Sequence, residues 1–374
     1  MTRLSGDADA MALALQLAER GLYTTDPNPR VGCVIVRDGT CIGQGWHERA
    51  GEPHAEVHAL RAAGSAARGA TAYVTLEPCC HHGRTPPCTD ALIAAGIARV
   101  VAAMPDPNPL VSGCGLEVLR GAGIATEVGL MQAQAEKLNP GFISRMCRGR
   151  PFVRVKLAAS LDGRTAMDSG ESKWITGEAA RADVQRLRAR SSAVLTGIGT
   201  VRADDPSLTV RAFDIGRQPL RIVVDSMLGT AATARVLAAP GQALVVSAGG
   251  DAGHARRLQQ TGAEVLCLPH PGGKVDLAGL MRHLAGRGIN EVLVEAGPTL
   301  SGALLAAGLV DELVIYLAPH LMGTQARGMF MLPGLAHMRD RVALEIRDVR
   351  AVGEDWRIVA AVQGGSAPVT DGQG

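Results

Sequence analysis

The apolar run from Met11 to Arg20 lies between Asp9, which can cap a helix, and Gly21, which can end one, so it predicts the first helix. In "VGCVIVRDGTCIGQGW" two β-rich runs flank Asp38-Gly39, a hairpin signal. A second helix is predicted from near His54 to Gly64, a strand in "ATAYVTLEP", a helix in "CTDALIAAG" and a strand in "RVVAAMPDP". Helix, hairpin and then alternating helices and strands, complete by about Glu127, imply a layered α/β domain.

Residues 131–151 carry Pro140, Gly141, Gly149 and Pro151 among polar residues and are expected to be the linker. A second alternating series follows. Strands are expected in "FVRVKLAAS", "AVLTG", "LRIVVDS", "ALVVSA", "EVLCLP", "EVLVEAG" and "DELVIYLAP". Helices are expected in "GEAARADVQRLRARSS", "LAGLMRHLAGRG" and "TLSGALLAAG". No fixed-period repeat is visible. The expected division is a first domain with its linker over 1–147, a second over 148–363 and a disordered tail over 364–374.

Composition narrows the function classes. With 47% hydrophobic and 20% charged residues, the 374-residue chain can bury a sizeable core. A net charge of +2 and 3% aromatics offer neither the basic field nor the stacking surfaces of a polynucleotide binder, so no nucleic-acid partner is expected. Residues 1–10 contain Asp7 and Asp9 and no apolar signal core, and no run approaches the ~20 apolar residues of a membrane span. A cytoplasmic protein without a membrane partner is expected. Its eight cysteines then read as reduced thiols, and their clustering suggests a metal.

The chemistry concentrates in "TLEPCCHHGRTPPC", with His54-Ala55-Glu56 opening a helix upstream. His54, Cys79 and Cys88 offer one imidazole and two thiolates, a set suited to a single zinc ion. Three protein ligands leave the fourth position for water, whose pKa zinc lowers to ~7. Glu56 is close enough to handle that water's proton without being a ligand. His-x-Glu followed by Pro-Cys and a second Cys is the layout of zinc deaminases. Cys80, His81 or His82 could instead close a structural site. The glutamate beside His54 and the adjacency of Cys79 and Cys80 favour the catalytic reading. His58 does not complete the His-Glu-x-x-His pattern of metalloproteases and reads as a packed or solvent-facing residue.

Eight residues separate Cys79 from Cys88, where zinc deaminases usually have two. "TLEPCCHHGRTPPC", with "DPNPRVGCVIV" and "GEPHAEVHAL", resembles the bifunctional deaminase–reductases of riboflavin biosynthesis. "VKLAASLDGRTA", "GESKWIT", "TGIGTVRADDPSLTVR", "LRIVVDS" and "VEAGPTLSGALL" resemble that family's second domain, so the likeness spans about residues 5 to 360. It implies a cytidine-deaminase-like α/β/α domain followed by a dihydrofolate-reductase-like α/β domain. The implied substrate is a phosphorylated pyrimidine ribotide, deaminated first and then reduced with NADPH from a ribosyl to a ribityl chain. By the same resemblance His54, Cys79 and Cys88 match zinc ligands and Glu56 the proton shuttle. Asn28, His47, His81 and Arg84 match residues lining the pyrimidine and phosphate pocket.

In the second domain, the helix start in "EVLVEAGPTLSGALL" could hold a pyrophosphate, but it is not a Gly-x-Gly-x-x-Gly fingerprint. The resemblance places Gly297, Pro298, Thr299, Leu300, Ser301, Gly302 and Ala303 on NADP, with Ala158, Trp174, Thr200, Asp204 and Ser226 nearby. It places Ser172, Arg188, Leu208, Arg211 and Glu295 at the substrate. Arg188 and Arg211 offer planar forks suited to phosphate, and Trp174 a flat face beside a ring. Lys156 and Asp162 are pocket candidates without assigned roles. A homo-oligomer, dimer or tetramer, is expected. Two other readings compete: a nucleic-acid base deaminase, which leaves residues 151–360 unexplained, and a zinc scaffold for which Glu56 would be dispensable.

Overall fold

The computed structural model describes residues 3–82, 86–109 and 111–363. The expected disordered tail lies outside the described residues. The chain divides into two compact units, Met1–Gly149 and Arg150–Gly374. Among the described residues no helix is long and apolar enough to cross a membrane.

The first unit runs α1 (Asp7–Glu19), β1 (Gly32–Arg37), β2 (Thr40–Trp46), α2 (Ala55–Ala63), β3 (Thr71–Val74), α3 (Cys88–Ala94), β4 (Arg99–Ala102), α4 (Cys114–Gly121), β5 (Ala125–Val128), α5 (Gln132–Leu138) and α6 (Pro140–Arg148). Its sheet has the order β2-β1-β3-β4-β5, with β3, β4 and β5 parallel and β1 antiparallel to both neighbours. Asp38 and Gly39 both have positive φ, 51° and 70°, the geometry of a two-residue hairpin turn. Strand alternation separates two cores. Val34, Tyr73 and Val101 pack with Met11, Leu15 and Phe142, whereas Cys33, Ile35 and Val100 pack with Ala55, Leu92 and Leu119. The result is an α/β/α sandwich.

The segment expected to be a linker is instead two helices of this unit. Pro140 occupies the first turn of α6, where its missing N–H costs nothing, and Gly149 ends that helix with φ 63°. Asn139 ties them down: its side chain accepts from the Arg30 N–H at 2.8 Å and donates to the Arg30 carbonyl at 2.9 Å. Small residues bring α2 onto β2. A methyl group at Gly45 would lie 2.6 Å from the Ala55 carbonyl oxygen, so only glycine allows the approach that fixes the start of α2.

The second unit runs β6 (Phe152–Ser160), β7 (Arg164–Ala166), α7 (Glu178–Arg190), β8 (Ala193–Gly197), α8 (Ile198–Asp204), β9 (Leu220–Val224), α9 (Arg235–Ala238), β10 (Ala243–Ser247), α10 (Ala252–Gln260), β11 (Glu264–Cys267), β12 (Pro269–His270), β13 (Lys274–Val275), α11 (Leu277–Gly286), β14 (Glu291–Val294), α12 (Pro298–Ala306), β15 (Glu312–Ala318), β16 (Arg327–Gly328), β17 (Leu344–Val352) and β18 (Asp355–Val362). Nine strands form one sheet, β11-β10-β9-β8-β14-β6-β15-β18-β17. It is parallel from β11 to β15 and closes with the antiparallel β18 and β17. The central strands are Val- and Leu-rich because helices cover both faces. The β17–β18 hairpin lies beyond the strands expected from sequence.

Candidate active sites

In the first unit, the close packing of α2 on β2 places His54 at the N-cap of α2, with extended backbone (φ −76°, ψ 166°) that directs its side chain off the helix. Cys88 is the first residue of α3, behind Pro87, and Cys79 lies in the loop after β3. The three ligand atoms lie within 4.8 Å of one another. Nδ1 of His54 is 3.3 Å from Sγ of Cys88 and 3.6 Å from Sγ of Cys79. A tetrahedral zinc ion holds its nitrogen and sulfur ligands about 3.5 Å apart, so the cluster fits zinc. Among the described residues no fourth His, Cys, Asp or Glu joins it: Cys80 is half-buried outside the cluster, and His81 and His82 are exposed. The closed knot that the sequence left open does not form among these residues. The thiol of Cys88, then the His54 imidazole and the Cys88 N–H, draw the Cys79 thiol down to about 4 against its burial.

Glu56, in the first turn of α2, is buried beside the Cys88 thiol. Burial, and then the charge of Cys79, raise its carboxyl above the usual carboxylate range. His47 is buried too, and its ring stands edge-on to that of His54 with centroids 5.3 Å apart. The Pro53 carbonyl, 3.2 Å from Nδ1, can only accept, so Nδ1 carries the hydrogen. Nε2 then accepts from the Asn28 amide at 3.1 Å, which leaves the Asn28 oxygen for another donor. Burial holds the His47 imidazole neutral. Arg84 lies outside the described residues. His58 packs over Gly45, apart from the cluster.

Two residues here escaped sequence reasoning. Glu77 is buried, and its carboxylate accepts four backbone N–H bonds, from Asp106, Gly113, Gly115 and Leu116, at 2.9–3.3 Å. It fastens the loop after β4 beside the metal-ligand loop. Asp106, in that loop, is buried and pushed up to about 6 by burial, with the neighbouring Glu77 and Cys79 adding to the rise. The signal was present: Asp106-Pro107-Asn108-Pro109 repeats Asp26-Pro27-Asn28-Pro29. Glu77→Gln is expected to destabilise the unit by about 2–3 kcal/mol, because an NH2 group would face two buried donors. A lowered urea midpoint with an unchanged denaturant slope is the expected measurement.

In the second unit, β9, β8 and β14 are parallel neighbours, so the segments after them share one edge of the sheet. This brings together Ser226 (after β9), Thr200 and Asp204 (on α8, after β8) and Gly297 to Ala303 at the start of α12. Leu300 lies directly against Gly197, and Lys173, next to Trp174, pairs with Asp204 at 3.3 Å. Trp174 is 72% exposed, not a core residue, with the Arg181 guanidinium 4.6 Å over its ring. Ala158 shares a face of β6 with Lys156.

Glu295 follows β14 and is gripped bidentately by Arg188, at 2.5 and 3.0 Å, while the third nitrogen of that guanidinium donates to the Thr209 carbonyl at 3.0 Å. Burial alone would raise the Glu295 carboxyl, but Arg188, Lys156 and Arg211 hold it below its ordinary value. The fork of Arg188 is engaged by Glu295 and the Thr209 carbonyl. Arg211 is exposed, and among the described residues its guanidinium bonds only Ser207, at 3.3 Å, which leaves most of its fork available. Leu208 is buried with φ 53°, and Ser172 is half-buried ahead of Trp174. Burial lowers the Lys156 ammonium, offset by Glu295. Asp162 is a turn clamp: it accepts from the Ser160 hydroxyl at 2.5 Å and from the Met322 and Gly323 N–H groups at 3.1 and 2.8 Å.

Residues 4–104 match the cytidine and deoxycytidylate deaminase zinc-binding region, and residues 151–358 match the RibD C-terminal domain. The riboflavin biosynthesis protein RibD of Escherichia coli is 55% identical over 92% of this chain and 96% of its own length. That of Bacillus amyloliquefaciens is 44% identical over 95% and 96%. Among solved structures, RibD of Acinetobacter baumannii superposes with a TM-score of 0.89 at 48% identity, covering 95% of this chain and 98% of its own. The Thermotoga maritima diaminohydroxyphosphoribosylaminopyrimidine deaminase/5-amino-6-(5-phosphoribosylamino)uracil reductase superposes at 0.84 with 34% identity, over 95% and 98%.

Proposed function

The chain belongs to the RibD family of bifunctional riboflavin-biosynthesis enzymes, and from that premise we propose which of its side chains carry each of the two steps. It is a deaminase joined to a reductase: a cytidine-deaminase-like domain and a dihydrofolate-reductase-like domain. It hydrolyses the amino group from 2,5-diamino-6-(5-phosphoribosylamino)pyrimidin-4-one and reduces the ribosyl side chain of the product to a ribityl chain. A nucleic-acid base deaminase would leave residues 151–358 without a role.

In our reading His54, Cys79 and Cys88 hold one zinc ion. Zinc supplies a Lewis acid with an open fourth position, which acidifies water to near neutrality. Glu56 takes the proton of the attacking water on its carboxylate and returns it to the departing amine. The observation that carries this is the burial of the Glu56 carboxyl in the first turn of α2, two positions from His54 and beside Cys88 of the ligand cluster. The neutral His47 fixes the Asn28 amide so that its oxygen meets a pyrimidine N–H. His81 and Arg84, which fall between the two cysteines in sequence, are assigned to the phosphate.

For the reductase we assign the nicotinamide cofactor, NADPH, to the ends of β8, β9 and β14, with Thr200, Asp204, Ser226 and Gly297 to Ala303, together with Ala158 on β6 and Trp174 ahead of α7. The shared sheet edge supports that assignment. The cofactor supplies a hydride for C1′ of the ribosyl group. As the furanose C1′–O4′ bond breaks, O4′ needs a proton, and Lys156 is the donor we assign, oriented by Glu295 and its Arg188 partner. Ser172, Leu208 and Arg211 complete the substrate pocket, Arg211 on the phosphate. The enzyme is proposed to self-associate and to work in the cytoplasm, in keeping with eight unpaired cysteines.

A coupled assay tests the whole reading. Given the diaminopyrimidine ribotide, the protein should release ammonia without NADPH and then oxidise NADPH in a substrate-dependent manner. Chelation of zinc should abolish ammonia release and spare reduction of the pre-deaminated substrate. Reduction lost in parallel with zinc, or NADH used as well as NADPH, would overturn the corresponding assignment.

A further inference from the structure

The residues assigned to the cofactor follow the order of the sheet, in which neighbouring strands run β9-β8-β14-β6. Lys156 and Ala158 lie on β6, α12 starts after β14, Thr200 and Asp204 follow β8, and Ser226 follows β9. Strands are ~4.8 Å apart, so β6 to β9 spans roughly 14 Å, within reach of an extended dinucleotide. With the hydride-bearing ring near Lys156 and the pyrophosphate at the start of α12, the adenosine end falls at β8 and β9. That end carries the one group by which NADPH differs from NADH, a phosphate on the 2′ oxygen of the adenosine ribose.

The loop after β9 is closed on itself. The Leu228 N–H donates to the Asp225 carbonyl at 3.1 Å, and Leu228 turns the chain with φ 54°. The buried Asp225 carboxylate accepts from the N–H and the hydroxyl of Thr230, each at 2.7 Å. The Thr230 carbonyl in turn accepts from Nε2 of His254 at 2.8 Å. Gly229, three residues after Ser226, is left exposed at the top of this turn. Arg202 of α8, two residues beyond Thr200, reaches across to it. A methyl group at Gly229 would overlap Nη2 of Arg202, so the glycine gives the guanidinium its seat over the loop. Arg202 is exposed, and among the described residues its guanidinium has no hydrogen bond or ion pair. Lys173 and Arg257, the cations bonded to these same elements, are engaged: Lys173 holds Asp204 at 3.3 Å, and Arg257 donates to Nδ1 of His254 at 3.2 Å. Asp225, the carboxylate beside the seat, is taken up by Thr230. The adenosine end of the edge therefore offers one uncommitted guanidinium fork, held next to a rigid loop, and such a fork suits a phosphate.

We propose that Arg202, seated over Gly229, binds the 2′-phosphate and so sets the preference of this chain for NADPH over NADH. This rests on the reading of the second unit as an NADPH-dependent reductase, and the test separates the two. Titration calorimetry of the full-length protein should show 2′,5′-ADP bound more tightly than 5′-ADP. Arg202→Gln should raise the Kd of 2′,5′-ADP by about ten- to a hundredfold, the worth of hydrogen bonds to a charged group, and leave that of 5′-ADP within about twofold. Arg202→Lys keeps the charge without the fork and should regain part of the loss. In reduction of the pre-deaminated substrate, the KM for NADPH should rise by a similar factor in Arg202→Gln while kcat stays, because the change lies at the far end of the cofactor from the hydride. Unchanged 5′-ADP binding shows that each variant is folded. A preference for 2′,5′-ADP that survives Arg202→Gln would discard Arg202 and keep the NADPH reading. Equal weakening of both ligands would also discard it, since Arg202 would then only hold the loop in shape. A wild type that binds both ligands alike would discard the NADPH reading as well.

Discussion

Replacing Glu56 by Gln should lower the turnover of deamination by about a thousandfold, with zinc content and reductase activity unchanged. The amide keeps the shape of the carboxyl and its place beside the Cys88 thiol, but it can neither take up nor return a proton. Zinc should stay because its proposed ligands are His54, Cys79 and Cys88, whose mutual distances do not involve Glu56. Reduction should stay because Glu56 lies in the first compact unit and Glu295 in the second. Ammonia release, metal content and NADPH oxidation on pre-deaminated substrate are the three readouts. Turnover within about tenfold of wild type would take the proton-transfer role from Glu56. Loss of zinc would make Glu56 part of the metal-holding set.

The second large effect is expected from Arg188→Met. Glu295 and Arg188 are both largely buried and bonded bidentately, so removing the guanidinium leaves a buried carboxylate short of its main partner. Breaking such a pair costs about 3–5 kcal/mol, and Lys156 nearby favours the lower end. The pH dependence has a definite sign. In the wild type the Glu295 carboxyl is depressed, so the pair's contribution is present above the ordinary carboxylate pKa and lost as pH falls through the depressed value. In the variant burial dominates and the carboxyl rises, so Glu295 takes a proton readily in mild acid. The stability deficit should therefore be largest at neutral pH and shrink towards about pH 5. Urea unfolding of the second unit at both pH values measures it. A deficit independent of pH would mean that lost packing, not the unpaired carboxylate, is responsible. Reductase turnover should fall by about a hundredfold as Lys156 loses the oriented Glu295.

How much was legible beforehand varies along the chain. Asp38-Gly39 announced its hairpin because both positions need positive φ, a local demand that few residue types meet. The ligand loop was legible because one imidazole and two thiols close to a helix start have few other uses. Pro140 and Gly149 misled, since the residues that open and close a helix also mark linkers; what makes α5 and α6 part of the unit is Asn139 bonding Arg30 across 109 positions of sequence. Arg188 was legible only in part. A guanidinium on an Arg-rich helix suits a phosphate equally well, and only packing α7 against the end of β14 commits it to Glu295. Glu77 was silent because its four partners are backbone N–H groups, which carry no side-chain signature.

By itself, then, the sequence determined what is local: the hairpin turn, the strand and helix periods, the zinc-type ligand set and its neighbouring glutamate. Its motifs, taken in order, also determined the family. Tertiary structure alone decided which of the candidate ligands converge, since His54, Cys79 and Cys88 come from three separate segments while the adjacent Cys80 stays outside the cluster. It also decided that the segments after β8, β9 and β14 share one edge. The physical reason is the same in each case. Backbone conformation and periodicity depend on near neighbours, whereas convergence, burial and the pairing of buried charges depend on which distant surfaces the folded sheet brings into contact.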